Sequence, residues 1–285
     1  MPAGGPETCV LGDFEIALIR DSAYWWDGGA IFGVVPKTLW SRHIPSDDLN
    51  RIPIAFNSYL VRTGDHTVLI ETGGGDKMDA RARERMKLPP ASEPLPEVIA
   101  RHGIDPESID IVINSHLHWD HCGGNTLLCG DTARPAFPRA RYFASRPEWE
   151  HAHQRLARDS VSYIDANYDP LVESGRMTLV VPDCEIVPGI RMLRAPGHNR
   201  DMCVVTAESG SQTFCFLSDL VPSVPHLTPT WVAAFDLYPL ESIESKTRYL
   251  AQAIEEKWIC GFGHDSGVAF TRIGWQKSQP CALPL

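Results

Sequence analysis

The sequence predicts an α+β protein with two strand-rich halves that each carry helices. Three observations support this fold class. Short apolar or alternating segments, which are typical of strands, recur along the chain, and helical periodicity is confined to a few segments between them. The 23 prolines fall mainly between these segments. With 285 residues, of which 43% are hydrophobic, the chain can bury a large core. We therefore expect two layers of sheet with helices outside.

The first elements are three strands, of which the second and third are joined by a tight turn, followed by a helix. Residues 13–20 alternate in polarity and predict the first strand. Residues 55–63 and 67–71 predict two strands around Gly64-Asp65, and residues 95–102 predict a short amphipathic helix that ends at Gly103.

The middle of the chain alternates strands and helices. The apolar run 109–113 predicts a buried strand, and residues 140–144 predict another. A helix is expected over 147–157, because proline is favoured in the first turn of a helix.

The carboxy-terminal half is again rich in strands. Strands are expected near 177–181, 190–194, 202–207 and 213–217, a helix over 241–256 and a last short strand over 258–262. None of the gaps has the composition of a linker, so we predict a single domain over residues 1–285.

Composition and charge narrow the class of function. The net charge of −10 disfavours nucleic acid as a partner, because an acidic surface repels phosphate. No apolar run reaches the length of a membrane span, and residues 1–8 lack the pattern of a signal peptide. The eight cysteines include no Cys-x-x-Cys pair, which suits buried thiols in a reducing compartment. We therefore expect a cytoplasmic protein that contacts neither membrane nor nucleic acid.

The densest chemistry lies in His116-Leu117-His118-Trp119-Asp120-His121, directly after the strand over 109–113. Imidazole nitrogen and carboxylate oxygen are ligands of zinc and similar ions. His116 and His118 are two residues apart, so on an extended segment they point the same way and can share one ion. Asp120 and His121 follow on the next turn and can reach a second ion, which favours two metals.

Three further strand ends offer the remaining ligands. Each is an apolar segment followed by a potential ligand: 193–198 ends in Pro-Gly-His198, 214–219 ends in Ser-Asp219, and 260–265 contains Gly-His264-Asp.

This order of motifs resembles the metallo-β-lactamase superfamily. The resemblance runs from about residue 13 to about residue 266, and it includes 57–60 and 69–73, where Glu71 stands in the place of the family's usual Asp. It implies a four-layer αβ/βα sandwich with the metal site at one edge between the two sheets. It also implies that Asp219 bridges two ions, the first held by His116, His118 and His198 and the second by Asp120, His121 and His264.

Charge counting agrees with a dinuclear site. Two dications, two aspartates and one bridging hydroxide leave a charge of about +1, which suits an anionic transition state. The resemblance therefore implies a hydrolase in which a metal-bridging hydroxide attacks the substrate, with Asp120 and Asp219 as the catalytic carboxylates. Two Zn²⁺ ions are expected, and Mn²⁺ or Fe²⁺ are the alternatives.

Within the resemblance, a bridging Asp219 points away from hydrolysis of β-lactams. It is shared by the lactonase-like, organophosphate-hydrolase-like, glyoxalase-II-like and RNA-processing branches, of which the net charge of −10 disfavours the last. We expect the substrate to contain a lactone or another ester-like bond. Phosphotriesters and thioesters are alternatives on the same fold, as are a mononuclear-iron oxidoreductase resembling persulfide dioxygenases and a non-catalytic scaffold.

Two segments are candidates for substrate contact. Residues 24–40 are long, aromatic and rich in glycine, and they resemble a lid in which Trp25, Trp26 and Phe32 contact an apolar part of a small-molecule substrate. Core packing and a homodimer interface are the alternatives for these aromatic residues. In the loop after Asp219, His226 and Tyr238 are candidate hydrogen-bond donors, and structural roles are the alternative.

Two positions depart from the quorum-signal lactonases and their relatives. Pro222 stands three residues after Asp219, where those lactonases carry a tyrosine that assists the developing oxyanion. Asn199-Arg200-Asp201 follows Pro-Gly-His, where many relatives have a small residue and a glycine; a surface salt bridge is the expected role of Arg200.

Overall fold

A computed structural model describes residues 7–88 and 93–285 and divides the chain into two compact units. The first unit combines Met1–Ser22, Phe56–Arg85 and Pro89–Val181; the second combines Ala23–Ala55, Met86–Leu88 and Pro182–Leu285. The prediction that both form one domain over 1–285 stays a prediction. The absence of a signal-peptide pattern was predicted over residues 1–8, of which 1–6 lie outside the described residues.

The first sheet has seven strands in the order β1-β2-β3-β4-β5-β8-β9. A separate hairpin, β6–β7, lies between β5 and β8 in the sequence. These strands are β1 (Thr8–Leu11), β2 (Phe14–Asp27), β3 (Arg51–Arg62), β4 (Thr67–Ile70), β5 (Ile111–Ile113), β6 (Thr126–Cys129), β7 (Thr132–Pro135), β8 (Arg141–Ser145) and β9 (Met177–Val180).

The parallel part of this sheet explains where the histidine motif begins. Strands β4, β5, β8 and β9 pair in parallel, and all three residues of β5 are buried, as expected for a continuous apolar run inside a parallel sheet. The carboxyl ends of these strands therefore lie at one edge. The chain leaves β5 at Ile113, so residues 116–121 start at this edge.

The second sheet also has seven strands, ordered β10-β11-β12-β13-β14-β15-β16. These strands are β10 (Cys184–Val187), β11 (Ile190–Arg194), β12 (Cys203–Ser209), β13 (Gln212–Phe216), β14 (Ile259–Gly261), β15 (Thr271–Gln276) and β16 (Gln279–Leu283). β12 runs antiparallel to both β11 and β13, and β13 runs parallel to β14. Strands β11, β13 and β14 therefore run in one direction, which brings His198, Asp219 and His264 to the same edge.

Eight α-helices complete the described part of the chain. They are α1 (Gly28–Phe32), α2 (Lys37–Trp40), α3 (Ala80–Arg85), α4 (Leu95–Arg101), α5 (Trp119–Cys122), α6 (Arg146–Gln154), α7 (Asp169–Glu173) and α8 (Pro239–Glu255). Among the described residues, no helix is both long and apolar enough to cross a membrane.

Each unit packs helices on its sheet. In the first unit, Leu69 and Val112 of the sheet lie in one apolar cluster with Val98 of α4, Ala152 of α6 and Leu171 of α7. In the second unit, α8 buries its apolar face with strands β12 to β15; the members include Val204, Cys215, Leu250, Ala253, Cys260 and Ile273. Two sheets with their helices confirm the predicted α+β class.

Most predicted elements are present, with shifted ends. The predicted strand 13–20 continues in β2 as far as Asp27, so Trp25 and Trp26 belong to a strand rather than to a loop. The predicted helix 147–157 ends earlier, at Gln154, because Arg155 adopts a left-handed conformation with φ of 52°. Not predicted were β1, β6, β7, β10, β15 and β16, and the short helices α1, α2, α3, α5 and α7.

Candidate metal centre

The first ligand cluster consists of His116, His118, Asp120 and His121 in the first unit. The ring centroids of His116 and His118 lie 4.5 Å apart, and those of His116 and His121 lie 4.1 Å apart. The three histidines are buried, whereas the side chain of Asp120 is 13% exposed. His118 is still extended (φ −65°, ψ 149°) and α5 begins at the next residue, which confirms the predicted change from an extended segment to a turn.

Close backbone packing fixes this loop. A Cβ atom on Gly75 or Gly123 would overlap the backbone of the other segment, and one on Gly124 would overlap the carbonyl of Thr72. The amide of Thr72 donates to the carbonyl of His121 across the same contact, at 2.8 Å. Side chains at these glycines would push the two segments apart, so their absence sets the position of α5.

Two outer contacts orient the histidines of the first cluster. Glu71 is buried with a φ of 65°, and its Oε1 accepts from the amide of Ser115 at 2.9 Å. Its Oε2 lies 3.6 Å from Nδ1 of His121. The hydroxyl of Ser115 lies 3.0 Å from Nδ1 of His116. Since Nδ1 of His116 and Nδ1 of His121 each face an outer group, Nε2 of each ring is the nitrogen that could bind a metal ion.

A third outer contact was not predicted. Glu148 of α6 is fully buried, and its Oε1 accepts from the amide of Leu117 at 3.1 Å and from the hydroxyl of Tyr163 at 3.0 Å. The ring of Tyr163 packs against that of His118, with centroids 4.8 Å apart. Glu148 therefore holds the residue between two predicted ligands.

The second ligand cluster consists of His198, Asp219 and His264 in the second unit. All three are buried. Nε2 of His198 lies 3.4 Å from Oδ2 of Asp219, and Nε2 of His264 lies 3.0 Å from Oδ1 of the same carboxylate. Each oxygen of Asp219 therefore faces a different histidine.

The histidines of this cluster also have outer contacts on Nδ1. Nδ1 of His198 lies 3.0 Å from Oδ1 of Asp236, and Nδ1 of His264 lies 2.9 Å from the carbonyl oxygen of Ala55. The amide of His264 donates to the carbonyl of Pro222 at 3.0 Å. Both imidazoles are thus fixed with Nε2 towards Asp219.

The chemistry of these donors fits divalent metal ions. The two clusters provide five buried imidazoles and two carboxylates, the ligand types that Zn²⁺ prefers. Four of the five histidines have an outer oxygen facing Nδ1, the usual arrangement for metal-binding histidines because it fixes the tautomer and the ring orientation. Each unit therefore contains a group of side chains of the types that bind divalent metal ions.

Two predicted substrate contacts lie inside the core of the second unit. The rings of Phe32 and His226 stack with centroids 4.7 Å apart, and Trp40 stacks on Phe32 at 5.2 Å. Nδ1 of His226 faces the hydroxyl of Ser223 at 2.8 Å and Nε2 faces the carbonyl of Ile31 at 3.1 Å. Burial lowers the pKa of His226 to about 3. The expectation that Phe32 and His226 contact substrate does not fit this placement, because both side chains are fully buried among protein groups.

The rest of segment 24–40 is held by packing rather than forming a free loop. Trp25 and Trp26 are half-buried; the ammonium of Lys87 lies 4.1 Å from the ring centroid of Trp25, and Tyr24 packs edge-on against Trp26 at 6.2 Å. Tyr24 also packs edge-on against His264 at 6.3 Å. The core-packing alternative therefore holds for much of this segment, and one of its aromatic residues contacts a candidate ligand.

The other predicted contact lies beside His198, together with a residue that was not predicted. Tyr238 is half-buried directly before α8, and its amide donates to the carbonyl of Gly197 at 2.9 Å. Phe235 packs edge-on against His198 with centroids 5.7 Å apart, while 38% of the side chain is exposed. A lone phenylalanine in a loop gives no sequence signal for this position.

Comparison with known proteins finds the superfamily suggested by the motifs. A sequence profile of the metallo-beta-lactamase superfamily matches residues 53–264. N-acyl homoserine lactonase AiiA of Bacillus thuringiensis subsp. kurstaki is 27% identical over 228 residues, which cover 73% of this chain and 80% of that protein. N-acyl homoserine lactonase AiiB of Agrobacterium fabrum is 26% identical over 252 residues, which cover 82% and 88%.

Solved structures share the fold over nearly the whole chain. A probable metal-dependent hydrolase from Staphylococcus aureus has a TM-score of 0.86 and 28% identity, covering 93% of this chain and 94% of the other. AidC, a dizinc quorum-quenching lactonase solved with a product, has a TM-score of 0.79 and 19% identity, covering 99% and 97%.

Proposed function

The chain belongs to the metallo-beta-lactamase superfamily and is a metal-dependent hydrolase, and from this premise we propose that it opens a lactone or a related ester-like bond with two divalent ions. The relatives named as N-acyl homoserine lactonases support a lactone as the substrate class. Zn²⁺ is the proposed metal, with Mn²⁺ and Fe²⁺ as alternatives, because nitrogen and oxygen ligands accept several ions of the first row.

The number of candidate ligands supports two ions. A catalytic zinc ion needs about three protein ligands and an open position. The first cluster would provide two ligands for each ion, His116 with His118 and Asp120 with His121. His198 and His264 would supply the third ligand of each, and Asp219 would be shared.

The observation that carries the proposal is the position of Asp219. Its two oxygens face the Nε2 atoms of two different histidines, at 3.4 and 3.0 Å, while the Nδ1 atom of each histidine is occupied by an outer oxygen. A carboxylate that bound a single ion would be expected to have candidate ligand histidines at only one of its oxygens. This arrangement favours Asp219 as the bridging ligand.

The ions, when bound, supply Lewis acidity to a carbonyl oxygen and lower the pKa of water enough for attack at neutral pH. Asp120 is the ligand carboxylate with access to solvent, and its Oδ2 lies 4.0 Å from Nε2 of His121. In the proposed reaction it takes a proton from the attacking water and returns that proton to the leaving alkoxide. Asp219 lies between His198 and His264, with one oxygen near Nε2 of each ring.

Half-buried aromatic residues are the proposed contacts for an apolar part of the substrate. Trp25, Trp26 and Tyr238 keep this role because each is partly exposed, and Phe235 joins them because it lies against His198 and reaches solvent. An exposed aromatic face beside a metal ligand can cover an acyl chain or a ring. A homodimer that buries part of the same surface stays a proposal.

The cysteines support a reducing compartment. All eight lie in the described residues as free thiols, and five of them are buried. We propose the cytoplasm on this basis, since a chain folded in an oxidising compartment usually pairs its cysteines.

A substrate panel on metal-loaded protein tests the function. Acyl-homoserine lactones, simple γ- and δ-lactones, aryl esters, phosphotriesters and thioesters are offered to protein loaded with zinc, manganese or iron, and products are identified by mass. We expect lactones to gain one water, and Asp120→Asn to slow this by 10²-fold or more, the usual effect of losing a positioned proton-transfer group.

The controls separate the alternatives. Asp169→Asn breaks a His–Asp pair outside both clusters, with His153 at 3.1 Å, and should leave the rate unchanged. If the protein binds two metals but turns over only phosphotriesters or thioesters, that class replaces lactones as the proposed substrate. One iron per chain with oxygen uptake on a persulfide would establish the oxidoreductase alternative.

A further inference from the structure

We infer that Asp236 is a positioning residue that fixes the imidazole of His198 for metal binding. The inference rests on the proposed function, in which His198 is a ligand of the first ion. It concerns a residue 38 positions after His198, in the loop between Asp219 and α8, to which the sequence assigned no role of its own.

Both oxygens of Asp236 are engaged with defined groups. Oδ1 lies 3.0 Å from Nδ1 of His198, and Oδ2 accepts from the hydroxyl of Ser242 in α8 at 2.7 Å. The carboxylate is buried, with 4% of the side chain exposed. One oxygen of Asp236 is therefore bound by Ser242 of α8, and the other contacts the ring of His198. Through this pair of contacts, α8 sets the orientation of the His198 ring.

Backbone contacts seat the whole turn of His198 on the same segment. The amide of Leu237 donates to the carbonyl of His198 and the amide of Tyr238 to that of Gly197, each at 2.9 Å. The hydroxyl of Ser245 donates to the carbonyl of Pro196 at 2.7 Å. A side chain at Gly197 would overlap Ser242, so only glycine permits this approach. The turn and the start of α8 thus form one fixed structure.

A buried cation lies on the same helix one turn after Ser242. Lys246 is fully enclosed, and its ammonium donates to the carbonyl of Trp231. Burial lowers the pKa of Lys246 to about 8, and the charge of Asp236 acts against this lowering. A buried carboxylate is costly without a compensating charge, so Lys246 offsets the burial of Asp236 beside a metal ligand.

The contact decides which nitrogen of His198 is presented. When Nδ1–H donates to Asp236, the lone pair of Nε2 is directed to the side where Asp219 lies, at 3.4 Å. A carboxylate on the outer nitrogen also makes an imidazole a stronger ligand. Without Asp236, the ring gains freedom to rotate, and the outer nitrogen loses its acceptor.

The test measures metal binding rather than turnover. Zinc affinity is measured by chelator competition for wild type, Asp236→Ala, Asp236→Asn and His198→Ala, and the Co²⁺-loaded proteins are compared by visible absorption. We expect Asp236→Ala to weaken one of the two ions by 10- to 100-fold, the usual effect of removing an outer partner of a ligand histidine, and to shift the cobalt bands. Asp236→Asn should lose less affinity but still shift the cobalt bands, since its Oδ1 accepts from Nδ1–H without the charge that makes the imidazole a stronger ligand.

The outcomes separate the inference from the proposed function. Asp169→Asn, which breaks the His153 pair, should bind both ions as wild type does. Wild-type affinity and cobalt spectrum in Asp236→Ala, with one ion weakened in His198→Ala, would overturn the inference alone. Wild-type affinity for both ions in His198→Ala would instead overturn the proposed ligand set. If Asp236→Ala does not fold, Asp236→Asn decides the matter: unchanged cobalt bands would refute the positioning role.

Discussion

Glu148 offers the sharpest test of how the first ligand cluster is held in place. Its carboxylate is fully buried on α6, and one oxygen accepts from both the amide of Leu117 and the hydroxyl of Tyr163. Glu148→Ala removes the acceptor and leaves the Leu117 amide buried between His116 and His118. We therefore expect both lower stability and weaker metal binding.

The size of the effect follows from the two hydrogen bonds. Each hydrogen bond to a charged acceptor contributes about 1.5–3 kcal/mol to the free energy of unfolding. The substitution also removes the cost of burying the charge, which offsets part of the loss. A net loss of about 3 kcal/mol in the free energy of unfolding is expected. For a chain of this size that corresponds to a fall in Tm of roughly 6–12 °C.

Calorimetry on metal-free protein, with zinc competition alongside, measures both effects. Glu148→Gln is the matched variant, because an amide oxygen can still accept from Leu117; it should lose about 1 kcal/mol. Tyr163→Phe removes the hydrogen bond from the tyrosine hydroxyl and should also lower the free energy of unfolding by about 1 kcal/mol. If Glu148→Ala melts within 2 °C of wild type and binds zinc with unchanged affinity, the side chain does not hold the ligand loop and the reasoning is wrong.

Three further predictions address the second unit. Asp219→Asn should lower the metal content, measured by elemental analysis, from two ions to at most one per chain. It should also reduce turnover in a lactone assay by about 10³-fold or more. Two tightly held ions in this variant would contradict the bridging role. Gly197→Ala should destabilise the fold by about 3 kcal/mol, because φ is 143° and the added methyl group overlaps α8, and an unchanged urea midpoint would exclude this strain. The folded pKa of His226 is about 3, below its unfolded value of about 6.5, so the unfolded chain binds more protons and stability falls as the pH drops from about 6.5 towards 3. His226→Gln should therefore flatten the loss of Tm over this range, and an identical slope in wild type and variant would show that His226 does not contribute.

The sequence predicted the interior strands better than the hairpins. β5 was predicted because Ile111–Ile113 is a buried apolar run, and such runs are typical of parallel strands. The hairpin β15–β16 was missed because Lys277 and Ser278 adopt positive φ in its turn, where Asn-Gly is the usual signal. The end of β2 was missed because its alternation stops at the polar residues Arg20, Asp21 and Ser22, although the strand continues to Asp27.

The same contrast applies to the site. The ligand residues follow strand ends, so a local pattern of strand, turn and histidine or aspartate was enough to propose them. Glu148 contacts Leu117 from 31 residues away and Asp236 contacts His198 from 38 residues away, and neither belongs to a motif. Contacts of this range depend on how α6 and α8 pack, which no local pattern contains. The stack of Phe32 on His226 was unpredictable for the same reason.

The departures from the family pattern fall into two kinds. Glu71 keeps a carboxylate where the family usually has Asp, and it reaches both the Ser115 amide and Nδ1 of His121. The carbonyl of Pro222 accepts from the amide of His264, so this residue still supports a ligand although it brings no hydroxyl. The groups that orient the proposed ligands are therefore retained, whereas position 222 brings no hydroxyl like the one that the resemblance implies near the developing oxyanion. A hydrogen bond to the developing oxyanion acts on turnover rather than on metal binding, so we expect slower opening of acyl-homoserine lactones than in the quorum-signal lactonases, with both proposed ions still bound.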